Sequence, residues 1–263
     1  MCRGVHESGS CTSGLDTLAR MSRRPYDRIS AVGGVYDVSS DEPTYLGSCA
    51  AVAIPTHFVT AAHCVIGRGP EQLAVNHFGH SEHPFSQVRG CSVYESCDIA
   101  VLEVDVEEPQ WISPFTKVLA PTYMGEPIAA IGSPVGILTA GQTESLRLFR
   151  GFVQRHFLYQ GRLGHAYSAY ELSFSSPPGL SRAPLFADSE PMFLLGVVTE
   201  NFKSYTIAES EEKELRPGQL RRTESKEIVT YGVAANAFSA VSFLEQAIGV
   251  ENLHAAHTDS SGA

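Results

Sequence analysis

Short apolar runs separated by glycine, proline and polar residues recur along nearly the whole of this sequence. Runs of this kind, rich in valine, isoleucine and aromatic residues, are typical of β-strands. Clear helical periodicity occurs only near the C-terminal end, where Val241, Leu244 and Ile248 fall on one face, Ser239 is a candidate N-cap and Gly249 a stop. About a dozen strands and one closing helix predict an all-β chain, built as two antiparallel β-barrels followed by a C-terminal helix.

The strand pattern divides the sequence into four parts. They are a polar, flexible arm at 1–29, a first barrel at 30–120, a second barrel with the closing helix at 121–249, and a flexible tail at 250–263. The proline-containing segment EEPQWISPF is predicted to cross between the barrels. Pro55 and Thr56 are predicted to form a tight turn between two strands of the first barrel.

The charge balance limits the kinds of partner. The 263 residues include 19 Lys and Arg against 29 Asp and Glu, a net charge of −10, and such a charge disfavours binding to nucleic acid. No apolar run reaches the length of a membrane span, and the N-terminal residues lack the apolar centre of a signal peptide. We therefore expect no nucleic acid and no membrane partner. We expect a cytoplasmic protein, with secretion by a route not readable in the sequence as the alternative.

Three segments contain the residue types that nucleophilic catalysis requires. VTAAHCV contains His63 just after a predicted strand, DIAVL begins with Asp98, and PGLSRAPLF contains Ser181. A serine hydroxyl is a weak nucleophile until a base removes its proton, and histidine is such a base near neutral pH. A carboxylate behind the histidine fixes its tautomer, and Gly179 leaves backbone N–H groups open to a developing oxyanion.

These segments resemble, in order and in local sequence, the chymotrypsin-like (trypsin-like) serine proteases, and in particular the bacterial-type members. GSCAAVAIPTHFVTAAHC, GEPIAAIGSPVG, GVVTEN and YGVAANAF extend the resemblance over about residues 30–249. It implies a serine endopeptidase with its active site between two barrels, a peptide or protein substrate, no cofactor and no metal. His63 would be the general base, Asp98 its orienting carboxylate and Ser181 the nucleophile. The N–H groups of Gly179 and Ser181 would form the oxyanion hole.

The resemblance also implies a set of substrate-binding residues. Matched without gaps, Ser175 falls at the base of the specificity pocket, Thr199, Glu200 and Asn201 form the edge that pairs with substrate, and Gly232 lies on the opposite wall. No acidic residue stands at the base, so we expect a neutral, small or medium apolar residue before the cleaved bond. Glu200 near the rim leaves open an attraction for a basic residue.

Two residues beside Ser181 depart from the family's pattern. Leu180 stands where digestive members carry an aspartate that pairs with a new N-terminus, so we expect activity without a cut near Ala31. Arg182 stands where the family usually has no side chain. Its side chain either lies along the leaving-group subsites and favours acidic residues there, or points away and pairs with an acidic group elsewhere.

The cysteines leave two alternatives open. Cys49 and Cys64 lie where the family often has a disulfide, and Cys91 and Cys97 could form a similar bridge. Without a signal peptide, reduced thiols are the alternative for both pairs.

Three further alternatives concern function. HFGHSEH brings His77, His80 and His83 close together, either as metal ligands or as polar surface. Residues 202–227 are charged and are predicted to form a surface loop, which is either a simple insertion or a flap that gates substrate or docks a partner. The whole chain is either an active endopeptidase or a catalytically silent homologue that binds peptides or a partner protein in the same cleft.

Overall fold

Two β-sheets make up most of the computed structural model of this chain. The structure describes residues 29–77, 85–133, 146–188, 193–216 and 219–255, with the side chains of these residues except 205–227 and 255. Apolar residues pack in two clusters, and the larger one includes residues of both sheets and of the closing helix. The predicted all-β class is confirmed.

The first sheet is a closed barrel of six strands in the order β1-β2-β3-β6-β5-β4. Each neighbouring pair is antiparallel. Closure removes free strand edges, which would otherwise present unpaired N–H and C=O groups. The strands are β1 (Val32–Asp37), β2 (Thr44–Val52), β3 (Ile54–Ala61), β4 (Leu73–His77), β5 (Ser86–Tyr94) and β6 (Ile99–Val104).

The second sheet has eight strands in the order β11-β8-β9-β10-β13-β12-β7-β14, and β11 also pairs with β12. Of the two predicted barrels, the first is confirmed, and the second part of the chain is an eight-stranded sheet. The sheet continues past β12 because β7 pairs with it in parallel and β14 pairs with β7. The strands are β7 (Lys117–Leu119), β8 (Pro127–Gly132), β9 (Arg147–Gln160), β10 (Ala166–Leu172), β11 (Pro184–Ala187), β12 (Phe193–Arg216), β13 (Gln219–Asn236) and β14 (His254–Ala255).

The turn between β2 and β3 lies at Ala53, with a φ of 61°, and the predicted turn at Pro55 and Thr56 is wrong. Both residues belong to β3. The reason is tertiary, since the N–H of Ala53 donates to the carbonyl of Phe115 at 2.7 Å and Phe115 donates back to Ala51 at 2.9 Å. Phe115, which follows the first barrel in the chain, thus fixes the turn between β2 and β3 at Ala53, two residues before Pro55.

The segment 202–227 is a continuation of two strands and not the predicted loop. β12 and β13 pair antiparallel from Gly196↔Asn236 to Arg216↔Gln219. The register shifts at three places along this ladder, at Val198/Glu200, Ile207/Glu209 and Glu214/Arg216. Backbone hydrogen bonds between β12 and β13 therefore keep this segment in strand conformation, although its sequence does not alternate between apolar and polar residues.

The closing helix α1 (Val241–Ile248) ends as predicted at Gly249, which is left-handed with a φ of 72°. Its start differs from the prediction. Ser239 lies within a one-turn 3₁₀ helix that precedes α1, and the side chain of Asn236 caps that turn by accepting from Phe238 N at 3.0 Å. At the start of the predicted tail, Leu253 is buried and β14 pairs with β7.

Among the residues that the structure describes, no helix is long and apolar enough to cross a membrane.

Candidate active site

His63 lies in a 3₁₀ turn (Ala62–Cys64) directly after β3. The N–H of Ala62 donates to the carbonyl of Asp98 at 3.1 Å, which ties this turn to the start of β6. Because β3 and β6 are neighbours in the barrel, the histidine and the aspartate meet at the same end of it. The predicted placement of His63 just after a strand is confirmed.

Asp98 joins a second 3₁₀ turn (Glu95–Cys97) to β6 in the left-handed conformation, at φ 53° and ψ 42°. Aspartate is one of the few residues that adopts this conformation at small cost. Its carboxylate is almost fully buried and accepts two hydrogen bonds from His63, from the ring Nδ1 at 2.8 Å and from the backbone N at 2.9 Å. An ionised carboxylate only accepts, so Nδ1 carries the proton of the neutral ring and Nε2 is left as the base.

Ser181 lies in the turn between β10 and β11. The N–H of Leu180 donates to Pro177 at 2.9 Å and that of Ala183 to Leu180 at 3.0 Å, while Gly179 has a φ of 92°. The inner side of the turn is apolar, since Leu180 is completely buried. No acidic residue stands at that place to receive an ammonium group, and activity without a cut near Ala31 stays a prediction.

Close packing against β8 supports the turn. A Cβ atom on Gly132 would lie 3.0 Å from the Cβ of Ala183 and 3.1 Å from the Cδ1 of Leu180. A larger residue at 132 would therefore push on the turn that holds Ser181. Sequence reasoning did not identify Gly132, because a glycine that provides space for a distant segment has no local signal.

Two N–H groups at the turn remain unused. Within the part of the chain that the structure describes, those of Gly179 and Ser181 donate no hydrogen bond, whereas those of Leu180, Arg182 and Ala183 all do. A pair of unused amides beside a serine is the arrangement that stabilises a developing oxyanion.

The contact between Ser181 and His63 is not formed. No hydrogen bond joins these two side chains, both of which lie in the described residues, while the His63–Asp98 pair is complete. Catalytic hydrogen bonds in unliganded proteins are often long and shorten when substrate binds. The structure thus brings two of the three predicted catalytic residues into direct contact.

Arg182 has a φ of 82°, so it is left-handed although it is not glycine. This conformation costs about 1–2 kcal/mol for a residue with a Cβ. Its N–H donates to the carbonyl of Val198 on β12, which fixes the turn against the second sheet. Its side chain extends toward the barrel and lies across Gly47 of β2, where a Cβ would collide with the Cδ of Arg182.

Asn201, on the edge predicted to pair with substrate, is hydrogen-bonded to the segment predicted to form the base of the specificity pocket. Its Oδ1 accepts from the backbone N of Ser176 at 2.7 Å, and its Nδ2 donates to the carbonyl of Ser176 at 2.5 Å. The hydroxyl of Ser176 is buried and has no partner among the described residues. The carboxamide therefore joins β12 to the segment that contains Ser175 and Ser176, next to an unsatisfied hydroxyl.

The other two residues predicted to lie at the base and on the opposite wall of the pocket are Ser175 and Gly232. Ser175 is exposed, and its neighbour Ser176 is the buried one. Gly232 lies against the segment that contains Ser175, because its N–H donates to the carbonyl of Phe174 at 2.7 Å. Ser175 at the base of the pocket stays a prediction, and the burial of Ser176 next to it was not expected from the sequence.

Thr199 is completely buried and connects β12 to the neighbouring residues Tyr167 and Val233. Its hydroxyl accepts from Tyr167 Oη at 3.1 Å and donates to the carbonyl of Val233 at 3.3 Å. Burial raises the pKa of the Tyr167 phenol, and the nearby Asp98 carboxylate raises it further. Tyr167 stays neutral and is a member of this site that the sequence did not reveal.

Glu200 has one ion-pair partner at the rim, since its Oε2 lies 3.3 Å from Nε of the exposed Arg162. Its Oε1 is buried and has no hydrogen bond within the described residues. The pKa of the Tyr159 phenol is raised by burial and also by this carboxylate. The positive charge of Arg162 therefore compensates part of the negative charge of Glu200.

Cys49, Cys64, Cys91 and Cys97 are described as free thiols. The Cys64 thiol donates to the carbonyl of Ala61 at 2.9 Å, and its burial raises its pKa to about 11. The predicted bridges Cys49–Cys64 and Cys91–Cys97 are thus not formed in this structure, and both pairs correspond to the reduced alternative.

His77 is buried and its Nε2 is 3.1 Å from the hydroxyl of Ser86. His80 and His83 lie outside the described residues. Among the residues described, no group of three His, Cys, Asp or Glu side chains is arranged to hold a metal.

No protein-family model and no curated protein matches the sequence, but solved structures do. The HtrA-type protease AlgW with a tripeptide is 19% identical, with a TM-score of 0.58, and the match covers 86% of this chain and 63% of that one. The active form of the Rv3671c protease from M. tuberculosis is 16% identical, with a TM-score of 0.55 and coverage of 92% and 93%. The MamO protease domain from Magnetospirillum magneticum is 16% identical, with a TM-score of 0.55 and coverage of 83% and 98%.

Identity this low carries information about the fold only, and this chain spans less than two thirds of the AlgW chain. This chain has the fold of the chymotrypsin-like serine proteases.

Proposed function

We propose that this chain is a serine endopeptidase in which His63, Asp98 and Ser181 form the catalytic triad. The observation that carries the proposal is the buried Asp98 carboxylate, which holds both the ring and the backbone of His63. This pairing orients the imidazole and leaves Nε2 as a base for a serine hydroxyl. The unused N–H groups of Gly179 and Ser181 support the same reading, since an oxyanion needs two such donors.

In the proposed reaction, Ser181 Oγ attacks the carbonyl carbon of a peptide bond while His63 Nε2 takes the hydroxyl proton. The charge on the carbonyl oxygen is stabilised by the N–H groups of Gly179 and Ser181, and the charge on the imidazole by Asp98. His63 then gives the proton to the leaving amine, and the acyl group remains as an ester on Ser181. A water molecule that loses a proton to His63 hydrolyses this ester and restores the serine.

The peptide is proposed to lie between the first barrel and the second sheet. Pairing of β11 with both β8 and β12 supports the closure of that sheet into a second barrel. The residues before the cleaved bond would pair with the edge of β12 at 199–201. The AlgW structures contain a tripeptide and a decapeptide, and the same kind of ligand is proposed here.

The residue before the cleaved bond is proposed to be small. The carboxamide of Asn201 already bridges the predicted edge and base of the pocket through Ser176, so a large side chain would have to displace two hydrogen bonds. Each lost bond leaves a buried polar group unpaired, which costs about 1–3 kcal/mol. Glycine, alanine or serine would avoid that cost.

A catalytically silent homologue that binds peptides in the same cleft is the second candidate. The observation that favours it is the missing hydrogen bond between Ser181 and His63, together with the positive φ of Arg182. In that case peptides would add to the edge of β12 without reaction.

A fluorophosphonate probe tests between the two, because it reacts with an activated serine whatever the natural substrate is. We expect the folded protein to be labelled at Ser181, Ser181→Ala to be unlabelled, and His63→Ala to react at least about 100-fold more slowly. Ser92→Ala, on an exposed part of β5, is the matched control and should label normally. Failure of several such probes on folded protein would establish the silent alternative.

A further inference from the structure

Arg182, the residue next to the proposed nucleophile, has a positive charge with no partner in the described part of the chain. No ion pair or hydrogen bond involves its guanidinium there, and its Nε is buried without an acceptor. Several arginines of the second sheet do have carboxylate partners, for example Arg155 with Glu171 at 2.7 Å and Arg150 with Asp188 at 3.2 Å. The sequence-based alternative in which Arg182 pairs with an acidic group elsewhere therefore finds no support among these residues.

The direction of the side chain is fixed by the strand that it crosses. Its stem lies on Gly47 of β2, where only a glycine leaves room. Its charge is close enough to the turn of His63 to favour the thiolate form of Cys64, although burial still raises the pKa of that thiol. The guanidinium thus lies on the barrel side of Ser181, between the serine turn and β2.

The strand that the side chain crosses, β2, belongs to the first barrel, whereas β12 belongs to the second sheet. If the residues before the cleaved bond pair with 199–201, the chain after the cleaved bond leaves Ser181 in the other direction, toward β2. Arg182 then lies along the path of the leaving portion. This step depends on the proposed function.

The backbone conformation of Arg182 has a cost in free energy. A non-glycine residue with a φ of 82° is strained, and strain of this kind in a site is often retained for function. Glycine would remove the strain, but it would also remove a positive charge that no described residue neutralises. The terminal Nη groups of an arginine fork can bind a carboxylate through two parallel hydrogen bonds while Nε is buried.

We propose that Arg182 binds a carboxylate on the leaving portion of the substrate, within the first two residues after the cleaved bond. The carboxylate belongs either to an Asp or Glu side chain or to the C-terminus of a chain that ends there. Both present the same two oxygens to the guanidinium.

Internally quenched peptides with alanine before the cleaved bond test this proposal. One arm compares Asp with Asn, and Glu with Gln, at each of the two following positions in peptides with an amidated C-terminus. The other arm keeps these positions neutral and compares a free C-terminal carboxylate with an amide. We expect kcat/KM to be about tenfold higher for the carboxylate in at least one arm, and the arm with the larger ratio identifies the source.

The variants separate charge from geometry. In Arg182→Gly the carboxylate-to-neutral ratio should fall to about one, and in Arg182→Lys it should be intermediate, because lysine keeps the charge and loses the fork. Arg89→Gln is the matched control, since it removes an exposed arginine of β5 that pairs with Asp105, and it should keep the wild-type ratio. An unchanged ratio in Arg182→Gly, in protein with a wild-type melting temperature, would overturn the proposal.

Binding measurements keep the proposal testable even if no peptide is cleaved. In a Ser181→Ala background, calorimetry with the same peptides should give a Kd about tenfold lower for the carboxylate form, and Arg182→Gly should abolish the difference. Equal affinities in both proteins would refute carboxylate binding. Failure of the endopeptidase proposal would appear separately, as the absence of fluorophosphonate labelling.

Discussion

Asp98 combines two properties that few residues share. It adopts a left-handed backbone between a 3₁₀ turn and β6, and its side chain accepts both hydrogen bonds from His63. Asparagine also tolerates this backbone conformation, which makes it possible to change the charge without changing the turn. The residue is therefore suited to a test that separates catalysis from stability.

Asp98→Asn should lower kcat on an activated ester by roughly 10³–10⁴, because an amide side chain no longer fixes the required tautomer of His63. The melting temperature should change little. Asp98→Leu should lower both kcat and the melting temperature, since leucine is strained at a φ of 53°. A normal kcat in folded Asp98→Asn would remove Asp98 from the proposed triad.

Asn201 is the residue at which a single substitution tests the proposed preference for a small side chain before the cleaved bond. Asn201→Gly removes the carboxamide that bridges to Ser176, so larger side chains should enter the pocket. We expect the ratio of kcat/KM for Leu or Phe against Ala before the cleaved bond to rise at least about tenfold, measured with a peptide library.

Asn201→Asp is the companion variant. A carboxylate cannot donate to the carbonyl of Ser176, so one of the two hydrogen bonds is lost while the size is kept. The cleavage profile should shift in the same direction, but less. A profile that both variants leave unchanged, or a wild-type profile dominated by Arg or Lys, would contradict the proposed preference for a small residue.

At the scale of elements, the β12–β13 ribbon differs most from what the sequence predicted. Residues 202–227 have many charges and a Pro-Gly pair, which are usual signs of a loop. The backbone ladder nevertheless continues from the sheet out to Arg216↔Gln219. Its first pairs include Val197↔Ala235 and Val198↔Ala234, which are buried, and these fix the register for the rest.

Replacing residues 205–227 with a short Gly-Ser linker should leave the fold intact, because the buried pairs of β12 and β13 lie outside this range. We expect KM for protein substrates to change more than KM for a small ester, if the ribbon contacts the substrate or a partner. The control is a ribbon of equal length with the charges of 209–214 replaced by Ser and Thr. Equal KM values in the wild type, the linker variant and the control would show that the ribbon is a surface insertion without contact to the substrate.

At the scale of the whole molecule, buried thiols connect stability to pH. Burial raises the pKa of Cys64 to about 11 from an ordinary value of 9.0, and it also raises that of Cys49. A raised pKa means that the folded state resists ionisation of the thiol. The stability contribution is therefore complete below about pH 9 and is lost as the pH rises through about 11.

The free energy of unfolding, measured by urea titration, should thus fall between pH 9 and pH 11. For Cys64 alone the loss approaches about 2–3 kcal/mol. Cys64→Ala should show a flatter profile, whereas Cys91→Ala, at a less buried position, should resemble the wild type. Alkylation of denatured, unreduced protein should modify all four of these cysteines, and protection of Cys49 together with Cys64 would instead indicate a disulfide.

The sequence by itself determined the all-β class, most strand positions, the closing helix and its stop at Gly249. It also identified His63 and Asp98, because each occurs in a short segment whose pattern is local and specific. Such features are set by neighbours along the chain, through strand alternation, turn residues and capping.

Only the tertiary structure decided the features that depend on residues far apart in sequence. The turn at Ala53 is set by Phe115, the state of the pocket by the pairing of Asn201 with Ser176, and the direction of Arg182 by the space above Gly47. The ribbon belongs to the same group, since its register comes from a ladder that begins inside the sheet. In each case the deciding energy is a hydrogen bond or a steric contact between distant segments, and local propensity contains no information about it.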